Sequence, residues 1–361
     1  MRKIISIALM ICVGISTLSL TACNSQNVNS LPQGNESTSQ TTEISEDGHP
    51  LSSIEFMRKQ IEEINQNDEI MEQQGFYAVK KILLMSFVED NTPYNPITEI
   101  AAEGSSVHAT VVMRVEEADS NESSVFSMSA VLLVNGKPVN FSLNENSSNE
   151  GILTFPLNSN QDYIMSLSAE DLPAVVGENK LQLVVFGYQK DQDFYLDPQN
   201  TTGSFQSTIN NEGASIGLCP ENEMDIVTIQ NENEMGPYAQ MEFISAEEMI
   251  DFQSDHYGNY LTTSKLDPTL HFYIDNMNTQ GLYSNTKGIL FLMIDGELKP
   301  VWNGRCFGEI SVLDSDLIKV IRLNSGFPSG EQHHIYWYFV ETEGFTDWPD
   351  YAAFRMKIKT E

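Results

Sequence analysis

The sequence predicts a mainly β protein made of two tandem β-sandwiches, and three observations carry that reading. From Phe76 onward, short runs rich in Val, Ile, Phe, Thr and Ser alternate with Gly, Asn and Asp turn signals. Asn135-Gly136 and Asp295-Gly296 each lie between apolar runs, and both pairs tolerate the positive φ of a tight hairpin. The same landmarks then recur in the same order in the two halves.

In the first half, Ala78 to Val88 is an apolar run compatible with strand or helix. His108 to Val115, Val125 to Val134, Lys137 to Leu143, Ile152 to Leu157, Tyr163 to Leu167, Leu181 to Tyr188 and Gly203 to Ile209 read as strands. In the second half, the run Phe291 to Val301 answers Val131 to Val139, with two extra residues after the turn. His271 precedes Asp295-Gly296 as His108 precedes Asn135-Gly136, and Phe354 closes the second half as Phe205 closes the first. Gly177 to Lys180 is answered by Gly330 to His333, an alignment that equates Phe186 with Phe339. This layout resembles tandem immunoglobulin-like modules of bacterial surface proteins in architecture. It lacks the Cys-Trp-Cys signature of antibody domains, so no particular immunoglobulin family follows.

Ahead of the β region the chain changes character twice. Met1, Arg2 and Lys3 supply a positive start, and Ile4 to Leu20 an apolar core of signal-peptide length. Leu20-Thr21-Ala22-Cys23 then resembles the lipobox of bacterial lipoproteins. The resemblance implies cleavage of residues 1–22, a diacylglyceryl group on the Cys23 thiol and acylation of the new N-terminus. Two or three acyl chains anchor stably where one binds only reversibly. Residues 23–50 are poor in large apolar groups and read as a disordered tether that stretches to roughly 90 Å. Across 51–75, Ser52 with Glu55 has capping-box spacing, and Ile54, Met57, Ile61, Ile64 and Met71 recur every three or four residues. That pattern predicts an amphipathic helix packing on the domain that follows. The domains themselves are expected at 76–210 and 211–361. Between them, Asn210 to Pro268 is hard to read, with Ser245 to Phe252 as a short helix candidate started by Ser245 and two glutamates. No apolar span or wall-sorting motif follows the last strand, which leaves the lipid as the expected anchor.

With 51 acidic against 19 basic residues the chain carries a formal charge of −32, and loss of the signal makes it more acidic. Phosphate backbones and anionic headgroups repel such a surface, which argues against nucleic-acid binding. Of four cysteines, Cys12 leaves with the signal and Cys23 takes the lipid, so Cys219 and Cys306 remain as a disulfide candidate. Neither stands in a CxxC motif.

The sequence has no HExxH, and no Cys stands in a papain-like context. Adjacent His333 and His334 would point to opposite faces of a strand and cannot chelate one metal there. Asp191 with Asp193, Asp314 with Asp316, and Asp347 with Asp350 are spaced for Ca²⁺ oxygens but lack the EF-hand loop. No cofactor or metal is implied. Trp302, Trp337 and Trp348 all fall in the second half, and Trp337 lies mid-strand among Tyr336, Tyr338 and Phe339, as a core residue would. Trp302 after the hairpin and Trp348 beside Asp347 and Asp350 are the candidate stacking surface for a sugar or a protein side chain. The sequence therefore predicts a non-enzymatic, lipid-anchored protein on the extracytoplasmic face of a bacterial membrane, binding a protein or glycan. An accessory subunit of an envelope complex and a wall- or carbohydrate-active hydrolase are the alternatives.

Overall fold

The structure, a computed structural model, describes residues 81–360 except 91, 118–123, 190–193, 235–243, 247–248, 256–257, 265–266, 276–284, 325–331 and 344–350. The lipobox with Cys23, the tether and the helix expected at 51–75 lie outside the described residues.

The first half contains β1 (Lys81–Glu89), β2 (Thr92–Pro96), β3 (Glu99–Ile100), β4 (Ala102–Glu103), β5 (Ser106–Glu117), β6 (Val125–Val134) and β7 (Lys137–Val139). It continues with β8 (Ser142–Leu143), β9 (Asn146–Ser147), β10 (Ile152–Asn158), β11 (Tyr163–Ala169), β12 (Gly177–Gln189) and β13 (Phe194–Ser207). The second half contains β14 (Ile226–Ile229), β15 (Ile244–Ala246), β16 (Met249–Asp255), β17 (Gly258–Thr263), β18 (Thr269–Asp275) and β19 (Thr286–Ile294). It ends with β20 (Glu297–Leu298), β21 (Gly308–Val312), β22 (Ile318–Asn324), β23 (Gln332–Glu343) and β24 (Tyr351–Thr360). Where a helix is expected over Ser245 to Phe252, the described residues on either side of 247–248 belong to strands β15 and β16. β15 pairs with β18 and β16 with β17, so tertiary pairing overrides the local Ser-Glu-Glu start signal.

These strands form four sheets, ordered β2-β1-β5-β11-β8-β9, β10-β6-β12-β13-β3, β16-β17-β24-β23-β19-β20 and β14-β22-β18-β15. The first two sheets make one immunoglobulin-like sandwich and the last two another. The halves share a wiring plan: β5 lies between β1 and β11 as β18 lies between β15 and β22. β6 joins β10 and β12 as β19 joins β21 and β23, and β13 carries a parallel neighbour, β3, as β24 carries β17. Both hairpins turn on left-handed pairs, Asn135 and Gly136 at φ 48 and 73, Asp295 and Gly296 at φ 54 and 82.

The pairing corrects the alignment drawn from sequence. Val134 faces Leu181 in the first half, and Ile294 faces Ile335 in the second. With the two hairpin turns superposed, Phe186 corresponds to Val340 and not to Phe339. A one-residue slip moves a side chain to the opposite face of its sheet.

The sandwiches stack face to face. Along β6 and β12, Leu132, Val134, Leu183 and Val185 fill the core of the first sandwich. The alternate residues Val131, Leu133, Val184, Phe186 and Tyr188 join the core of the second. Phe186 packs on Phe291 and Tyr338, with ring centroids 5.2 and 5.8 Å away, and Tyr195 stacks on Tyr336 at 5.1 Å. The contact is pseudo-two-fold. A Cβ on Gly136 would strike Thr342, and a Cβ on Gly296 would strike the Tyr188 ring. Thr342 and Tyr188 are themselves equivalent in the corrected alignment, so each half offers the same face to the other. The Tyr195 hydroxyl accepts from the Gly296 amide at 2.8 Å and donates to the His334 carbonyl at 3.1 Å, sealing one end.

The linker is held by both halves. Residue 211 pairs with Ala174, Ser215 with Val139, and Cys219 with Gly308. Gly296→Ala should cost about 2–4 kcal/mol, combining left-handed strain with a collision against Tyr188. Gly304, also left-handed at φ 78, has open space around it, so Gly304→Ala should cost only about 1–2 kcal/mol. Urea unfolding of the two variants measures the difference, and equal losses would mean that the Tyr188 contact is not tight.

Candidate binding surface

The expected tryptophan platform does not form at Trp302. Its side chain is buried at 5 % exposure beside Leu290, Leu292, Phe272 and Trp337, inside the second sandwich. The Trp302 and Arg305 backbones bond to each other at 3.1 and 2.8 Å across a tight turn, which folds the ring inward as an anchor. Trp348, Asp347 and Asp350 lie outside the described residues, as do Asp191 and Asp193. Trp337 is core, as its strand context implies.

Cys219 and Cys306 are free thiols, so the candidate disulfide is not formed. The linker register sets Gly308, not Cys306, beside Cys219, whose amide donates to the Phe307 carbonyl at 2.9 Å. Burial pushes both thiols above their ordinary pKa, with Glu223 adding to the effect at Cys219 and Glu150 at Cys306. Protonated at neutral pH, they are poor nucleophiles.

Among the described residues, Asp316 and the His333-His334 pair serve the fold. Asp316 is buried, accepts from the Leu313 amide at 2.9 Å and lies 3.6 Å from the buried Lys319 ammonium. Lys319 is also bridged to Glu221. His333 and His334 hold the Asp295 turn: His333 Nδ1 is 2.8 Å from one carboxylate oxygen, and the His334 amide donates to the other at 2.8 Å. Among the described residues no group of three His, Cys, Asp or Glu side chains is placed to hold a metal.

A surface of a different kind lies at the end of the first sandwich. Val175 and Val176 stand 54 % and 61 % exposed between β11 and β12, and Ile209 stands 45 % exposed just past β13. Their loops are rigidly built. Leu172 and Ala174 point inward and are buried, which turns the following valines outward. Asn179, 1 % exposed, accepts from the Val175 amide at 2.8 Å and donates to the Val175 and Gly177 carbonyls at 2.9 and 3.0 Å. Asn210 accepts from the Val176 amide at 2.8 Å. Asn211 donates to the Leu172 carbonyl at 3.1 Å and to Asp171 at 2.8 Å, and Ser207 ties Gly104 to Ile209. Gly213 has φ 55, and a Cβ there would collide with the Leu172-Pro173 backbone. Exposed Glu170, Asp171 and Glu212 lie on the same loops, and exposed Glu103 and Glu178 on the ends of β4 and β12 beside them.

Sequence reasoning missed this patch because Val175-Val176 falls between the predicted strands Tyr163 to Leu167 and Leu181 to Tyr188, where two valines alone carry no periodic signal. The available signal was Pro173 before the pair and Gly177 after it, which mark a loop and leave two valines without a strand to bury them.

No protein-family model matches the chain, and no curated protein is similar to it. Among solved structures, the YadV chaperone is 9 % identical over 76 % of this chain and 98 % of its own, with a TM-score of 0.21. The Acinetobacter baumannii CsuC–CsuE chaperone–tip adhesion subunit complex is 10 % identical over 73 % of this chain and 96 % of that one, at a TM-score of 0.18. The C-terminal domain of the Streptococcus pyogenes antigen I/II-family protein AspA is 8 % identical over 78 % and 100 %, at 0.20. Likenesses this distant carry no argument about activity.

Asn179→Ala should leave the Val175 and Gly177 backbone without its buried partner and cost about 1–3 kcal/mol. Amide hydrogen exchange should accelerate over 172–179 and stay unchanged in β5. Unaltered exchange in the loop would show that Asn179 does not hold it.

Proposed function

We propose that this chain is a lipid-anchored, non-catalytic binding protein displayed on the extracytoplasmic face of a bacterial membrane. In this reading the first sandwich contacts a protein ligand through Val175, Val176 and Ile209, and the second acts as a rigid buttress. The supporting observation is a solvent-exposed apolar patch on loops whose backbone is fixed by asparagine side chains, Asn179 among them fully buried. Exposed apolar side chains on a pre-organised loop gain contact area without losing loop entropy on binding. The carboxylates on the same loops suit a partner surface with an apolar centre and a basic rim. The lipid on Cys23 and the tether to residue 50 would hold that patch away from the bilayer.

The test is a photo-reactive amino acid at position 176 of the full-length lipoprotein in its own membranes, with cross-links read by mass spectrometry. One recurrent protein partner is expected, and Val175→Asp should remove it with the unfolding midpoint unchanged. The same probe at Asn303, on the Trp302 turn, should capture nothing recurrent. A partner caught from position 303 and not from 176 would assign binding to the second sandwich and contradict the proposal.

A further inference from the structure

Two Asn-Gly pairs occur in this chain, both in tight turns, and the fold restrains them unequally. Asn135 and Gly136 turn between β6 and β7, Asn303 and Gly304 between Trp302 and Arg305, all four with positive φ. Asn135 is exposed but tied down. Its Oδ1 accepts from the Lys180 amide at 2.9 Å, and its Nδ2 donates to Asn179 Oδ1 at 2.8 Å. Gly136 is held against Thr342 of the other half. Asn303 is exposed and barely held. Its Nδ2 reaches only the Glu223 carbonyl and carboxylate, at 3.3 and 3.4 Å, beyond the usual hydrogen-bond length. Among the described residues nothing bonds to its Oδ1, and the space around Gly304 is open.

We propose that Asn303 is a site of spontaneous deamidation, which makes the Trp302 anchor a slow, irreversible switch. Gly304 carries no Cβ, so its backbone nitrogen is the least hindered nucleophile a neighbouring carboxamide can meet. With its proton lost to solvent, that nitrogen attacks Cγ of Asn303. The new C–N bond closes a succinimide ring, and the side-chain nitrogen leaves as ammonia. Water then opens the ring at either carbonyl, leaving aspartate or isoaspartate. Aspartate sets a second carboxylate beside Glu223, where like charges repel. Isoaspartate adds a methylene to the backbone of a turn closed by the Trp302 and Arg305 bonds of 3.1 and 2.8 Å, which fold the indole inward. Asn135 faces the same chemistry. It must first break two well-formed side-chain bonds, a cost that slows it about tenfold relative to Asn303.

The test ages the folded full-length chain at mildly alkaline pH and maps its peptides by mass spectrometry, reading the mass gain of an amide-to-acid change at each asparagine. Conversion at position 303 should run about tenfold or more ahead of conversion at 135. In urea, where neither turn is folded, the two pairs should convert at similar rates. Asn179→Ala, which removes the acceptor of Asn135 Nδ2, should raise conversion at 135 and leave 303 unchanged. Equal rates in the folded protein would overturn the proposal. So would the same ratio in urea, since local sequence and not the fold would then set it. Tryptophan emission should shift to the red as 303 converts, and stay constant in aged Asn303→Gly, which suits the turn and cannot convert. Conversion without that shift would overturn the switch.

Discussion

Everything in this molecule is arranged around one contact, the apolar meeting of two central sheets through equivalent faces. A sheet with one face in its own sandwich and the other in the neighbouring domain has no solvated side, and that condition explains the composition of its strands. Val131 to Val134 and Leu183 to Phe186 are apolar at every position because both parities are buried. The contact also explains why both hairpins keep glycine at the second turn position. Gly136 and Gly296 need a left-handed φ, and each touches the opposite domain where a Cβ would have to fit. Gln182 of β12 is buried with neither amide atom hydrogen-bonded, a cost that the apolar burial of its neighbours on the strand must exceed.

The same double burial set the limit on what could be read from sequence. Strand existence was legible: Val125 to Val134 is β6 as expected, and the two hairpin turns fall where Asn-Gly and Asp-Gly place them. Register was not legible. In a half-exposed strand, alternation of polar and apolar residues fixes which side faces inward. In β12 and β23 that signal is missing, so aligning Phe186 with Phe339 looked natural and was one residue out. The short strands between Ile244 and Asp255 were hidden for a different reason, since they owe their form to partners distant in sequence.

The candidate surface follows a similar logic. Tryptophans in a turn-rich context suggested a platform, but Trp302 is drawn inward because its turn closes on the apolar interior of the second sandwich. The exposed apolar groups belong instead to a loop of the first sandwich, where Leu172 and Ala174 already occupy the core and leave Val175 and Val176 outside. Asparagines make this arrangement rigid. Asn179, Asn210 and Asn211 satisfy loop backbone groups that no ladder reaches, a role invisible in a chain whose asparagines are numerous.

If the shared face is the main source of cohesion, the two sandwiches unfold as one unit. The direct test is urea denaturation followed at once by tryptophan fluorescence and by far-ultraviolet circular dichroism. All three tryptophans lie in the second half, whereas the β signal comes from both. The account predicts coincident transitions with a single midpoint. A fluorescence transition completed while half of the β signal persists would show independent domains and contradict it.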